Sequence, residues 1–255
     1  MNGIIQRGRD ILGRESFGLL ILMAVMVFGF SVANPKFLAM PSLSSMGFQA
    51  PLLGVLTLAM LAPMISGGFN LAIIYTANIS ALALAWVLLQ FGGPEAGIGA
   101  LILGSVAALV VGTLAGAVMG VVIAYIGAHP ILVSLAMMIF LRGLGEFLTR
   151  GGDMSGFPPS LAVLGHGTLL GVPVPLILFG IVALIWHIML RRSRHGFSVY
   201  MVGSNIRATE YSGIDTKRTL VKIYALSGML CAVAGILMAA RFNSARVGHG
   251  EALLL

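Results

Sequence analysis

Apolar positions in this chain come in blocks separated by short polar or Gly/Pro stretches. The blocks cover residues 17–33, 46–65, 70–90, 98–126, 131–148, 176–190 and 220–240. A helix of about 20 apolar residues crosses the roughly 30 Å hydrocarbon core of a bilayer. The pattern therefore predicts an all-α protein, a polytopic membrane bundle of about seven transmembrane helices. It forms a single multi-pass domain over 1–255.

The interruptions carry more detail. Ser31-Val32-Ala33 has the small-x-small look of a signal-peptide cleavage site. The block before it exceeds the usual apolar core of a signal peptide and more blocks follow, so it reads as a first span. Pro51 and Pro63 fall in or near the ends of the second block; proline is tolerated there if neighbours re-satisfy the freed carbonyls. Ser66-Gly67-Gly68 breaks the chain before the third block, whose first half holds Asn70, Tyr75, Thr76, Asn78 and Ser80. Asn70, Asn78 and Ser80 either line a translocation path or bond helices together. The block 98–126 is too long for one straight span, so it tilts or ends in an interfacial turn. Its Gly112, Gly116 and Gly120 make a close-packing ladder. Arg142 and Glu146 stand i,i+4 on one helix face and can form an intramembrane ion pair, either structural or beside a solute path. Residues 150–175 read as an outer loop, in which His166 has no ligand-spaced partner for a metal. Trp186 sits at an interfacial anchor position near the inner end of the sixth block.

The longest polar segment is 191–219. It carries Arg191, Arg192, Arg194, Arg207, Lys217 and Arg218, with Lys222 just beyond. A basic loop between spans resists translocation and is expected in the cytoplasm. Arg7, Arg9 and Arg14 place the N-terminus on the same side, and an odd number of spans leaves the C-terminus outside. Within the loop, Ser204 or Asn205 can cap two turns of helix over 206–212, and Gly213 suits the left-handed position that ends them. Such a helix either merely connects two spans or offers a handle to another protein.

Composition agrees with the membrane reading. Of 255 residues, 58% are hydrophobic and 9% charged, and mean hydropathy is +1.03; water-soluble domains carry about 25% charged residues. The net charge of +7 sits mostly at the N-terminus and in the central loop, as orientation signals do, so nucleic acid is not an expected partner. The single Cys231 allows no intrachain disulfide. No GxxxxGK[ST] loop, HExxH or GxSxG is present, so the chain is not expected to be an enzyme or to bind a cofactor itself.

Three stretches resemble a known family: SGGFNLAIIYTANISALAL from Ser66, HPILVSLAMMIFLRGL from His129, and HGFSVYMVGSNIRATEYSGIDTKRTLVKIYALSGMLCAVAGILMAAR from His195. They are similar to motifs of the permease subunits of bacterial ABC importers for ribose and related monosaccharides, within the branched-chain amino acid/sugar permease superfamily. The third stretch is the specific one. The resemblance implies sugar transport driven by a separate ABC ATP-binding subunit that holds ATP and Mg. It also implies a periplasmic solute-binding protein, and a second permease copy as homodimer or paralogous heterodimer. It implies an ATPase-coupling helix carried by Gly203, Ser204, Asn205, Ala208, Thr209, Ser212 and Gly213. In this chain Asn70 stands where the family has Asp, and Arg207 and Glu210 exchange the signs of a family pair. Family members continue past a stretch similar to His249-Gly250-Glu251, so the chain is expected to be C-terminally incomplete relative to them. The rival expectations are a secondary transporter or channel not coupled to ATP, and an inactive fragment or membrane scaffold.

Overall fold

A computed structural model describes residues 14–34 and 36–250, with side chains from residue 18 onward. Arg7, Arg9, the side chain of Arg14, the orientation of the N-terminus and Glu251 lie outside the described residues. The chain forms two compact units, Met1–Met46 and Gly47–Leu255. The first holds α1 (Arg14–Ala33) and the opening residues of α2 (Met40–Ile65).

The second unit continues α2 and adds α3 (Ile73–Gln90), α4 (Ile98–Val121), α5 (Pro130–Thr149), α6 (Pro159–His166), α7 (Val174–Arg192), α8 (Arg194–Ser204), α9 (Ile206–Tyr211) and α10 (Thr216–Phe242). Among the described residues, six helices are long and apolar enough to cross a membrane: α2, α3, α4 with its continuation to Ile126, α5, α7 and α10. A shorter apolar helix, Gly18–Ala33, lies within α1. The bundle is thus all-α and polytopic. Its only described strands are two-residue pairs: β1 (Met154–Ser155) antiparallel to β4 (Ser244–Ala245), and β2 (Thr168–Leu169) to β3 (Val172–Pro173).

Most of α3 and α10 is buried, and α4 packs against both with its glycine ladder. A Cβ at Gly112 would lie 2.5 Å from the Gly228 carbonyl oxygen, one at Gly116 2.1 Å from that of Tyr224, and one at Gly120 2.7 Å from Val221 Cα. Partners descend 228, 224, 221 as the ladder climbs, so α4 and α10 are antiparallel and in backbone contact. About two turns further along the same stripe of α10, a Cβ at Gly235 would lie 2.2 Å from the Ala77 carbonyl oxygen of α3. Apolar burial does not drive helix association in lipid, so this close approach is what joins the three helices.

Several boundaries differ from the sequence expectation. The helix of the third block starts at Ile73, and Asn70 lies before it in the unwound turn. The block 98–126 is one helix whose last turn is a π-helix, Val122–Ile126, ended by Gly127 at φ +76°. The stretch 150–175 is no plain loop, because it holds β1, α6 and the β2–β3 hairpin. Trp186 is not an interfacial anchor; it is 3% exposed, in the core with Leu190 and Val199. That core also takes residues from α2, α3, α4 and α10, neighbours no hydropathy window can see. Lys217, Arg218 and Lys222 belong to α10, because Asp215 caps that helix by accepting from Arg218 N–H at 2.9 Å.

The second unit has two chemically different ends. At one, the ends of α2, α7 and α8 meet the starts of α5 and α10, together with α9. At the other lie the end of α5, α6 and the segment after α10. There Gly165 lies against the Ala240 carbonyl and His166 Nε2 is 2.8 Å from the Arg241 carbonyl oxygen. The first end carries most of the cations.

Candidate functional site

The polar segment 191–219 is largely helical. Ser193 ends α7 and caps α8, accepting from Gly196 N–H at 3.0 Å while its hydroxyl donates to the Met189 carbonyl at 2.6 Å. The spacing Gly196, Val199, Val202 puts all three on one buried face of α8. That stripe and the Ser193 cap are readable in the sequence, though the basic residues around them suggest an unstructured loop. Gly203 closes α8 at the end of α2, where a Cβ would lie 1.8 Å from the Ile65 carbonyl oxygen.

Next comes α9. Asn205 Oδ1 accepts from Ala208 N–H at 3.0 Å, and Gly213 follows the helix at φ +79°. Cap, two turns and left-handed exit agree with the pattern of side chains. The candidate coupling residues divide by environment. Ser204, Asn205, Ala208, Ser212 and Gly213 are exposed, while Thr209 is fully buried with its hydroxyl on the Asn205 carbonyl at 2.7 Å. Glu210 accepts from the Thr216 hydroxyl at 2.8 Å, which ties α9 to α10. Tyr211 is 93% exposed. The result is a short helix anchored through one side and bare on the other.

His195 on α8 is half-buried, with Lys222 of α10 nearby. Burial first, then Lys222, hold its pKa below the ordinary 6.5. Only the folded state disfavours the charged ring, so α8 docks without penalty above about pH 6.5 and loses stability as pH falls below it. Limited proteolysis of 193–215 should run faster at about pH 5.5 than at about pH 7.5, and His195→Gln should remove the difference. Equal rates in the unaltered protein refute this.

The three candidate path residues lie inside the helix contacts. Asn70 is fully buried; its Nδ2 donates to the Ser227 hydroxyl at 3.0 Å and its Oδ1 accepts from Ala72 N–H at 3.0 Å. It therefore closes the unwound turn between α2 and α3 and fastens it to α10, helped by Tyr224, whose hydroxyl donates to the Phe69 carbonyl at 3.4 Å. Ser80 donates to the Thr76 carbonyl at 2.8 Å, and Asn78 Nδ2 donates to the Val247 carbonyl.

Arg142 and Glu146 do pair, at 3.1 Å, with side chains 54% and 53% exposed. The Arg142 guanidinium lies 6.0 Å from the centre of the Tyr75 ring. The pair borders a cleft of about 510 Å³ at the end opposite the basic one, completed by Thr149, Gly151, Gly152, Arg246, Val247 and Gly248. Among the described residues no group of His, Cys, Asp and Glu could hold a metal ion.

The family model described as "Branched-chain amino acid transport system / permease component" matches residues 42–254. The chain is 30% identical over 244 residues to the "Autoinducer 2 import system permease protein LsrD" of Enterobacter sp. (strain 638), covering 93% of this chain and 72% of that one. It is 28% identical over 245 residues to the protein of that name from Salmonella paratyphi A (93% and 71%). To the one from Photorhabdus temperata it is 29% identical over 245 residues (94% and 72%). No solved structure matches the chain.

Proposed function

On the premise that this chain belongs to the branched-chain amino acid transport system / permease component family, we propose how it works as a transport subunit. It is a multi-pass permease of the bacterial inner membrane, a membrane-spanning part of an ABC importer for a sugar-like solute. It is a transport component, not itself an enzyme. ATP hydrolysis belongs to a separate ATP-binding subunit, and a periplasmic binding protein delivers the solute. A second permease copy, identical or paralogous, completes the pathway. The basic end faces the cytoplasm, where Lys- and Arg-rich segments are retained, and α9 is the coupling helix. The solute is a ribose-type monosaccharide or, as in the relatives' name, autoinducer 2.

One observation carries this reading: α9 is bare towards solvent and braced from behind. Thr209 and Glu210 hold it to its own turn and to α10, and Gly203 of the adjoining α8 abuts the end of α2. A push or pull on α9 therefore reaches α10 and the α2–α3 turn, which Asn70, Tyr224 and Ser227 fasten to α10. Two packings a few kcal/mol apart suffice for nucleotide to select between them.

The test is solute uptake into vesicles containing permease, ATPase and binding protein. Uptake of ribose or autoinducer 2 should need all three and ATP. Uptake undiminished without the ATPase would establish a secondary carrier instead.

A further inference from the structure

The cleft at the non-basic end has properties that an idle surface dimple lacks. The first is the position of its ion pair. From Arg142 to the end of α5 at Thr149 is about 10 Å of helix, in a helix about 30 Å long, which matches the hydrocarbon thickness. A half-exposed guanidinium at that depth, paired to a carboxylate about one turn nearer the helix end, would be costly against lipid, and such groups face protein or a water-filled space. The cleft beside them is that space.

The second is its charge balance. Arg142 pairs with Glu146 at 3.1 Å, and Arg246 stands 3.8 Å from Asp153. Cations and carboxylates cancel, so the cleft creates no strong field for an ion. It still offers planar guanidinium donors beside carboxylate acceptors, with the Thr149 hydroxyl and the backbone of Gly151, Gly152 and Gly248 on its wall. Nearby His249 adds no charge at neutral pH, because burial and Arg246 lower its pKa more than Asp153 raises it.

The third is an unfilled polar atom behind the wall. Asn78 is 1% exposed and donates through Nδ2 to the carbonyl of Val247, which lines the cleft, yet its Oδ1 has no hydrogen-bond partner. A buried carboxamide oxygen without a donor costs about 1–3 kcal/mol and calls for a water or ligand hydroxyl.

We infer that this cleft is a binding site for a neutral polyhydroxylated solute, held by hydroxyl groups bridging Arg142, Glu146 and Arg246, at the mouth of the pathway. The inference rests on the importer reading above and adds where the solute first meets the permease. A volume of about 510 Å³ is within the usual range for small-molecule sites. Charge-assisted hydrogen bonds to hydroxyls give selectivity through paired donors and acceptors.

The test uses the permease with its ATPase partner in lipid nanodiscs, nucleotide-free and without binding protein. Ribose is titrated and its contact followed by saturation-transfer NMR. Saturable binding in the millimolar range is expected, weakened roughly 10-fold or more by Glu146→Gln and by Arg246→Met. Both residues are half-exposed, so thermal stability should hold and the loss is then one of contacts. Ribose 5-phosphate should bind no more tightly than ribose. No saturation up to about 100 mM, unchanged affinity in both variants, or clear preference for the phosphate overturns the inference. So does binding-protein docking that falls in these variants while ribose binding does not. Uptake by the complete importer separates the two readings. Uptake without cleft binding refutes the cleft alone, and cleft binding without ATP-dependent uptake refutes the importer alone.

Discussion

Valine at Gly228 should leave almost no folded protein in the membrane. A Cβ there would lie 2.1 Å from the Gly112 carbonyl oxygen, and one at Gly116 2.1 Å from the Tyr224 carbonyl oxygen. Both obstacles are backbone of a packed helix, so no side chain can swing aside. Relief requires α4 and α10 to move apart along their whole contact, which also opens the seam between α10 and α3. The cost belongs with the exceptional overpacking substitutions, above about 4 kcal/mol. Gel-filtration profiles of detergent extracts should show a collapse of the monodisperse peak for Gly228→Val and Gly116→Val. Gly143→Ala provides the contrast. Nothing lies within 4 Å of its would-be Cβ, and alanine in a helix interior is favoured over glycine by up to about 1 kcal/mol. If Gly228→Val keeps a sharp peak and normal thermal stability, the backbone seam is not what holds the bundle.

The second large effect concerns α9. The pair Ala208→Trp with Tyr211→Asp should lower affinity for the ATP-binding subunit about 100-fold, the size of a lost interface hot spot at 2–4 kcal/mol. Both side chains are exposed, Tyr211 at 93%, so the permease should keep its stability within about 0.5 kcal/mol. Co-purification of the ATPase from membranes is the measurement. Retention of the complex at normal yield would remove α9 as the coupling helix. Gly203 is a poor probe despite standing in the same motif, because a side chain there would strike the Ile65 carbonyl and report on packing. Asn205→Ala is an intermediate case. It removes the cap on Ala208 N–H and costs about 1 kcal/mol of helix stability, so it should weaken the complex less than the double variant.

Much of this was legible from side chains alone. The block lengths locate every membrane helix of the second unit, within a few residues for most. The α9 cap, turns and exit follow from Asn205 and Gly213, because capping is local chemistry between residues two to three positions apart. The Gly112-Gly116-Gly120 ladder announces a close-packing face. The pairing of Arg142 with Glu146 follows from i,i+4 spacing. Two of the boundaries that slipped share a cause. Asp215 starts α10 ahead of its apolar block, and Ser193 starts α8 inside a basic run, so hydropathy and capping point to different residues.

Other features depend on neighbours far along the chain. Trp186 could have been an anchor at the surface; burial among helices distant in sequence makes it core. Asn70 and Asn78 are polar positions in an apolar block, and only the fold pairs them with Ser227 and with the Val247 carbonyl. Spacing cannot reveal that Arg246 and Val247 come to stand beside Arg142, or that Gly203 ends against Ile65. Hydropathy, caps and i,i+4 pairs are sums over neighbours within one turn, so each residue carries them wherever the helix lies. A cleft, or the face a ladder meets, exists only once helices distant in sequence have chosen their rotations. In lipid that choice comes from backbone fit and buried hydrogen bonds, because both faces of an apolar helix suit the solvent equally well.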